Sequence, residues 1–371
     1  MKDKVFPKPL KKLSILIGAA ALIFLLDLFP KLVLSIYSKT IYPIVSVIIR
    51  WISSLFPFAL GDILYAVLII YILVLIIKFF IRVKKNGWQK TDKLKIPIAI
   101  LNVLLIFYIS FKLLWGLNYS RPSISKQLNI SDKKYSVKEL VLLGNYFIDT
   151  LNKLQPKLSP NLSYDIKQLR EKAVADYQFL AQQNSFFNYR QPSVKPVFNG
   201  WLISKIGIEG YYNPLSGEAN VNMKLPAWVL PFVTCHEMAH QLGVAKEDEA
   251  NLVAYLVGSN SKDVIFQYSI NYNMLRYILL EIRIKSPEDY LKMRENIDKG
   301  VLANFKAENE FWAQYNGDIS NYMGVAFDKF LKLNNQKRGI NSYQNIVVWL
   351  WNIHQKEFKK SESQASASPK D

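Results

Sequence analysis

Apolar residues crowd the first third of this 371-residue chain and then thin into a periodic pattern. Residues 13–28 are almost uninterrupted apolar sequence and extend through Pro30 into Leu32, Val33 and Leu34, which predicts a first membrane-spanning helix over about 13–34. Residues 58–81 and 96–117 each offer the roughly 20 apolar positions that carry a helix across a hydrocarbon core. Between the first two, the segment 31–57 holds Tyr37, Tyr42 and Trp51 as aromatic anchors for an interfacial position. Beyond 117 the period changes. Helical spacing of apolar residues predicts helices near 137–154, 165–183, 247–257, 262–284, 287–297, 302–315, 319–333 and 343–358. Residues 194–223, rich in Gly, Asn, Pro and β-branched side chains, predict a small β element with tight turns. The fold class is therefore mainly α: three N-terminal transmembrane helices in a membrane domain of residues 1–117, a mostly helical domain at 118–358, and a tail at 359–371 without an apolar stripe, expected to be disordered.

Charge fixes the expected orientation. Lys2, Lys4, Lys8, Lys11 and Lys12 precede the first span, and Arg82, Lys84, Lys85, Lys90, Lys93 and Lys95 join the second to the third, so both segments belong on the cytoplasmic side. The expected location is a bacterial inner membrane, multi-pass, with the N-terminus cytoplasmic and everything after 117 periplasmic or extracellular. No small-x-small cleavage site follows the first apolar run, which argues against a removed signal peptide. Asp27 and Asp62 fall at the edges of apolar segments, where snorkelling near a helix end accounts for them. Residues 1–95 carry 15 Lys and Arg against four Asp and Glu, so most of the net charge of +18 belongs to topology and to attraction by anionic lipid. No finger spacing, RNA-binding signature or Arg-rich tract accompanies the rest, and a nucleic-acid partner is not expected. A lone cysteine, Cys235, excludes an intramolecular disulfide and reads as a small buried residue.

Candidate chemistry concentrates in His236-Glu237-Met238-Ala239-His240, which holds two of only three histidines in the chain. On a helix, positions i and i+4 share a face, so both imidazoles reach one ion while Glu237 stands beside its open position. Zinc accepts neutral imidazole nitrogen, and a catalytic zinc keeps one position for a water whose proton a neighbouring carboxylate can take. The motif helix is expected to start near Pro231 and to end at Gly243. A third ligand is required. The next helix offers Glu247, whose face carries Ala250, Asn251 and Ala254 and could approach closely, and Glu249, whose face carries Leu252, Val253 and Leu256; Glu247 is preferred and Glu249 is the alternative.

His-Glu-x-x-His followed by Glu247-Asp248-Glu249-Ala250-Asn251 resembles the gluzincin metallopeptidases, several families of which carry Glu-x-x-Ala-Asp or Glu-x-x-Ala-Asn at that place. The resemblance implies a zincin-like fold, His236, His240 and Glu247 as zinc ligands, Glu237 as general base, and Asn251 as the support of a zinc-binding histidine. It also implies that Glu218, Ala219 and Asn220 belong to an edge strand pairing with extended substrate, where a structural hairpin is the competing reading. Tyr272, Arg276 and His354 are candidates for stabilising an oxyanion. Only six residues separate His240 from Glu247, a short link that keeps Glu249 open, while Lys246 stands where metzincins place their third ligand. The whole chain, with Trp-Gly-Leu-Asn-Tyr at 115–119 and Gly-Glu-Ala-Asn-Val-Asn at 217–222, resembles the uncharacterised bacterial membrane family known as domain of unknown function 3810.

These readings lead to the expectation of a membrane-anchored zinc metallopeptidase acting on a peptide or protein substrate at the lipid bilayer. The alternative expectation is a sensor or scaffold whose zinc fold binds a peptide or cell-wall fragment without turnover.

Overall fold

The computed structural model describes residues 8–315, 317–334 and 345–367. Lys2 and Lys4 of the N-terminal basic cluster, the first two residues of the helix expected from 343, and the last four of the chain lie outside the described residues. Helix α1 (Lys8–Asp27) stops before Phe29, and a second helical run begins at Pro30, so the single span expected at 13–34 is divided between two helices. Proline has no amide hydrogen to bond back to residue 26, and its ring pushes the preceding residue out of helical conformation; Phe29 has ψ 79°. At the start of the next helix the same proline is favourable. That run comprises α2 (Pro30–Leu32), a π-wound stretch at Val33–Ile41, and α3 (Tyr42–Ser54).

Helices α4 (Leu60–Asn86) and α5 (Asp92–Leu114) follow as a hairpin. Among the described residues three helices, Pro30–Ser54, Leu60–Asn86 and Asp92–Leu114, are long and apolar enough to cross a membrane. The most apolar window of α4 buries none of its residues, whereas 28% of the corresponding window in Pro30–Ser54 is buried, because α3 lies with one side against the rest of the protein. Helix α1 packs along α5, where Lys112 and Ser120 each approach Asp27 to 2.7 Å. Asp62 accepts from the amide of Phe198 at 2.9 Å and from the hydroxyl of Tyr211. Both acids are thus partnered at the helix ends nearest the larger domain. At the far end of the hairpin Arg82 pairs with Asp92 at 3.0 Å, near the run of lysines in the α4–α5 turn.

The larger domain opens with the short α6 (Ile124–Gln127), then α7 (Val137–Leu154) and α8 (Ile166–Ala181). Ser136 with Glu139, and Asp165 with Gln168, form capping boxes that satisfy the first free amides of α7 and α8. Strand β1 (Val194–Pro196), the one-and-a-half-turn α9 (Gly200–Lys205), β2 (Gly210–Asn213) and β3 (Glu218–Val221) come next. The sheet order is β1-β3-β2, with β1 parallel and β2 antiparallel to β3. Helices α10 (Leu230–Gln241), α11 (Glu247–Ser259), α12 (Val264–Lys285), α13 (Pro287–Glu295), α14 (Lys299–Ala313), α15 (Asp318–Leu333) and α16 (Asn345–Ala367) complete the fold. Helix α16 continues through most of the stretch expected to be a disordered tail; its Lys, Glu, Gln and Ala residues favour helix, and no Gly or Pro interrupts them before Pro369.

The core is built around α10, all 12 of whose residues are buried. It contacts α8, α11, α12 and the two strands β2 and β3. Such a helix shows no polar face in its sequence, because every side meets protein.

Candidate metal centre

Helix α10 carries Pro231 in its first turn and ends before Gly243, whose φ of 78° requires glycine; a β-carbon there would also meet the Tyr42 ring at 2.8 Å. This left-handed turn lets α11 start at Glu247 and fold back onto α10. His236 and His240 then stand one turn apart, with Glu247 opposite them. His236 Nε2 lies 3.1 Å from Glu247 Oε2 and 3.2 Å from His240 Nε2, and His240 Nε2 lies 3.7 Å from the same carboxylate oxygen. The ligand atoms of these three residues converge as a group that could hold a metal ion.

The outer nitrogens of the imidazoles are both committed. His236 Nδ1 donates to Asn251 Oδ1 at 2.8 Å, and His240 Nδ1 donates to the carbonyl of Val244 at 2.5 Å. Asn251 Nδ2 in turn donates to Tyr277 Oη at 3.3 Å, which sets the amide's orientation. Both Nε2 atoms therefore face the point shared with Glu247, the arrangement that outer hydrogen bonds impose on ligating histidines. Burial works to raise the Glu247 carboxyl, but the two imidazoles overcome it and hold the group well below its ordinary value. Burial likewise lowers His240, yet Glu247 and Glu237 together bring it up to about 9.

Glu237 is 4% exposed, and its Oε2 has no hydrogen-bond partner among the described residues. Burial pushes its carboxyl up to about 7, against the pull of His236 and His240 and with help from Glu247 and Glu209. Gly210 makes room for it: a β-carbon there would fall 2.9 Å from Glu237 Oε1.

The C-terminal carbonyls of α10 are held from the apolar helices. Tyr42 Oη on α3 donates to the Gln241 carbonyl at 3.0 Å, and Ser46 Oγ to the same oxygen at 3.1 Å. Trp115 Nε1, just past α5, donates to the His240 carbonyl at 3.1 Å, while its ring meets the His240 ring edge-on with centroids 5.7 Å apart. Helix ends leave carbonyls without partners, so these contacts both satisfy α10 and fix where it stops.

Of the two acids considered as third ligand, Glu247 joins the histidines; Glu249 is 2% exposed and faces Lys246 at 3.5 Å instead. Asn251 stands behind His236. The strand expected at the sheet edge is a correction: β3, with Glu218, Ala219 and Asn220, is the central strand and is paired on both sides. Glu218 instead accepts the amides of Leu60 and Gly61 at 3.0 and 2.7 Å, placing a carboxylate at the N-terminus of α4. The strand beside the centre with an unpaired side is β2. Glu209 faces β3 through its carbonyl, which accepts from Asn222 at 3.0 Å, so antiparallel alternation turns the main-chain groups of Gly210 and Tyr212 the other way.

The three oxyanion candidates separate. His354 lies elsewhere, against Tyr255 at 2.5 Å and Glu357 at 3.2 Å. Tyr272 donates to Glu308 at 2.6 Å, and Arg276 pairs with Glu308 at 2.8 Å. Arg276 adjoins Tyr277, the residue linked through Asn251 to His236. Tyr277, Glu209, Gly210, Tyr42 and Trp115 escaped the sequence reading as parts of the centre. The spacing rule that finds i, i+4 ligands has no counterpart for contacts made across the fold.

Helices long and apolar enough to cross a membrane, joined to a buried helix whose two histidines meet a glutamate from the next helix, define a mainly helical protein with a candidate metal centre. The chain belongs to the family described as Protein of unknown function (DUF3810), whose family model matches residues 37–351. The match takes in α3, α4 and α5 together with the whole centre. Comparisons with curated proteins and with solved structures each find no match.

Proposed function

We propose that this protein is a membrane-bound zinc metallopeptidase, of the gluzincin type that its two motifs resemble, with its site on the non-cytoplasmic face of a bacterial inner membrane. The observation that carries the reading is the convergence of His236, His240 and Glu247 beside a buried, unpartnered carboxylate oxygen of Glu237. The donor set fits zinc. Tetrahedral bonds of about 2.0–2.1 Å separate neighbouring ligand atoms by about 3.3 Å, against 3.1, 3.2 and 3.7 Å here. Two imidazoles and a carboxylate leave a fourth position open, and a zinc ion there supplies Lewis acidity toward a carbonyl and lowers the pKa of a water. Imidazoles ligate in the neutral form, so a metal would compete with a proton for the Nε2 atoms of His236 and His240.

Glu237 takes the proton of the attacking water and returns it to the leaving amine, a role suited to a carboxyl near 7. The outward main-chain groups of Gly210 and Tyr212 offer an extended peptide a partner beside Glu237. The orientation rests on charge: the lysines of the α4–α5 turn lie at the end of the hairpin remote from the site, and basic turns stay cytoplasmic.

One observation favours the second reading, a zinc fold that binds peptide without turnover: His236, Glu237 and His240 are only 9%, 4% and 4% exposed. Glu237→Gln in the full-length protein separates the two. On the peptidase reading zinc content is kept and hydrolysis of a peptide library falls by about 10²–10⁴-fold. Equal hydrolysis by the variant sinks the general-base assignment, and no hydrolysis by zinc-loaded wild type supports binding alone.

A further inference from the structure

A groove of about 1010 Å³ runs between α12, α13 and α14, outside the metal centre. Its floor is apolar, with Leu279, Ile297, Leu302 and Phe305, and its walls carry Arg276, Arg283, Arg294, Lys299 and Lys306. Two carboxylates line it as well, and both are taken: Glu308 by Arg276 at 2.8 Å and Glu310 by Lys306 at 3.7 Å. Arg283, Arg294 and Lys299 remain, exposed and without an ion pair among the described residues. Like charges gathered over an apolar floor repel one another, and an anionic occupant with apolar side chains relieves that. Arg276, which lines the groove, is next in sequence to Tyr277, which is hydrogen-bonded to Asn251, which in turn holds His236.

We propose that this groove binds an acidic stretch of the polypeptide substrate remote from the scissile bond. The inference rests on the peptidase reading for its choice of ligand. A polypeptide fits better than a small metabolite because the volume lies at the upper limit for compact ligand sites. Arg276 is a positioning residue here, fixed by Glu308 and by Asn273 Oδ1 at 3.2 Å, whereas Arg283, Arg294 and Lys299 meet the ligand.

The test uses the full-length Glu237→Gln protein, which holds peptide without cleaving it, and fluorescently labelled peptides of matched length containing a run of glutamates, lysines or serines. Fluorescence anisotropy is measured with and without a zinc chelator. The glutamate peptide should bind at least about tenfold more tightly than the other two, and Arg283→Glu/Arg294→Glu should abolish that preference. Arg283→Gln/Arg294→Gln should weaken it with no change in melting temperature, since both side chains are exposed. Equal affinity for the three peptides, or no effect of charge reversal, overturns the proposal. So does competition by free glutamate or phosphate at the peptide's own concentration, which would mark a site for a single anion. Binding of the acidic peptide that survives chelation while wild type cleaves nothing keeps the groove and removes only the peptidase reading.

Discussion

On the side of the larger domain, α10 is held mainly through its side chains: Asn251 takes His236 Nδ1, and Glu247 from α11 closes the cluster. On the side of the apolar helices it is held through its main chain, by Tyr42, Ser46 and Trp115 at the carbonyls of His240 and Gln241. The first set determines which atoms face the centre; the second determines where the helix that bears them ends. The division places part of the centre's support in residues 1–117, so the larger domain and the apolar helices are not independent at this point.

The largest effect expected from breaking the comparison is at the ligand itself. Glu247→Ala leaves two imidazoles and should lose stoichiometric zinc from the full-length protein. Glu249→Ala should keep it, because Glu249 faces Lys246 rather than the histidines. Zinc retained in the Glu247 variant and lost in the Glu249 variant reverses the assignment.

One step out, the two kinds of support can be set against each other. Asn251→Ala removes the acceptor that fixes the His236 tautomer and should weaken zinc binding by about 10–100-fold. Tyr42→Phe and Trp115→Phe each remove one hydrogen bond to a carbonyl, worth about 1 kcal/mol, or roughly fivefold in affinity if all of it is felt at the centre. Competition with a chelator of known affinity measures all three. Should the tyrosine and tryptophan variants lose as much zinc affinity as Asn251→Ala, main-chain placement governs the centre as strongly as tautomer control does.

The same contrast explains what the sequence made legible. Glu247 was legible because its helical face carries small residues and a short turn at Gly243 links it to His240, while the part of Asn251 came from the resemblance of Glu247-Asp248-Glu249-Ala250-Asn251 to a family motif. Tyr42 and Trp115 stand 199 and 125 residues from the carbonyls they bind, and nothing local marks them as partners of α10. Strand order is equally nonlocal, which is why Glu218, Ala219 and Asn220 looked like an edge and lie in the middle of the sheet. The break at Pro30 was a local signal outweighed by the apolar run on either side of it.

The smallest expected effect lies behind α10, on α8. Tyr177 donates to the Cys235 carbonyl at 2.8 Å, and Ser269 Oγ accepts from the Phe232 amide at 3.0 Å, so the larger domain also has main-chain holds on the helix. Beside Tyr177, burial pushes the Asp176 carboxyl up to about 6, with Asp263 adding to the rise and Ser261 and Lys172 opposing it. A carboxyl raised on folding binds its proton more tightly in the folded state than in the unfolded chain. Its protonated form carries no penalty below about pH 4, and stability declines as pH rises through the interval from about 4 to about 6. Asp176→Asn removes that decline, so the variant should melt higher than wild type at pH 8 and lose the advantage at pH 4. Partial exposure of the group reduces the difference to on the order of 1 kcal/mol. Thermal melts of detergent-solubilised full-length protein at the two pH values read the sign directly. If zinc affinity at pH 8 stays fixed while the melting temperature rises, the Asp176 carboxyl acts on the fold and not on the centre.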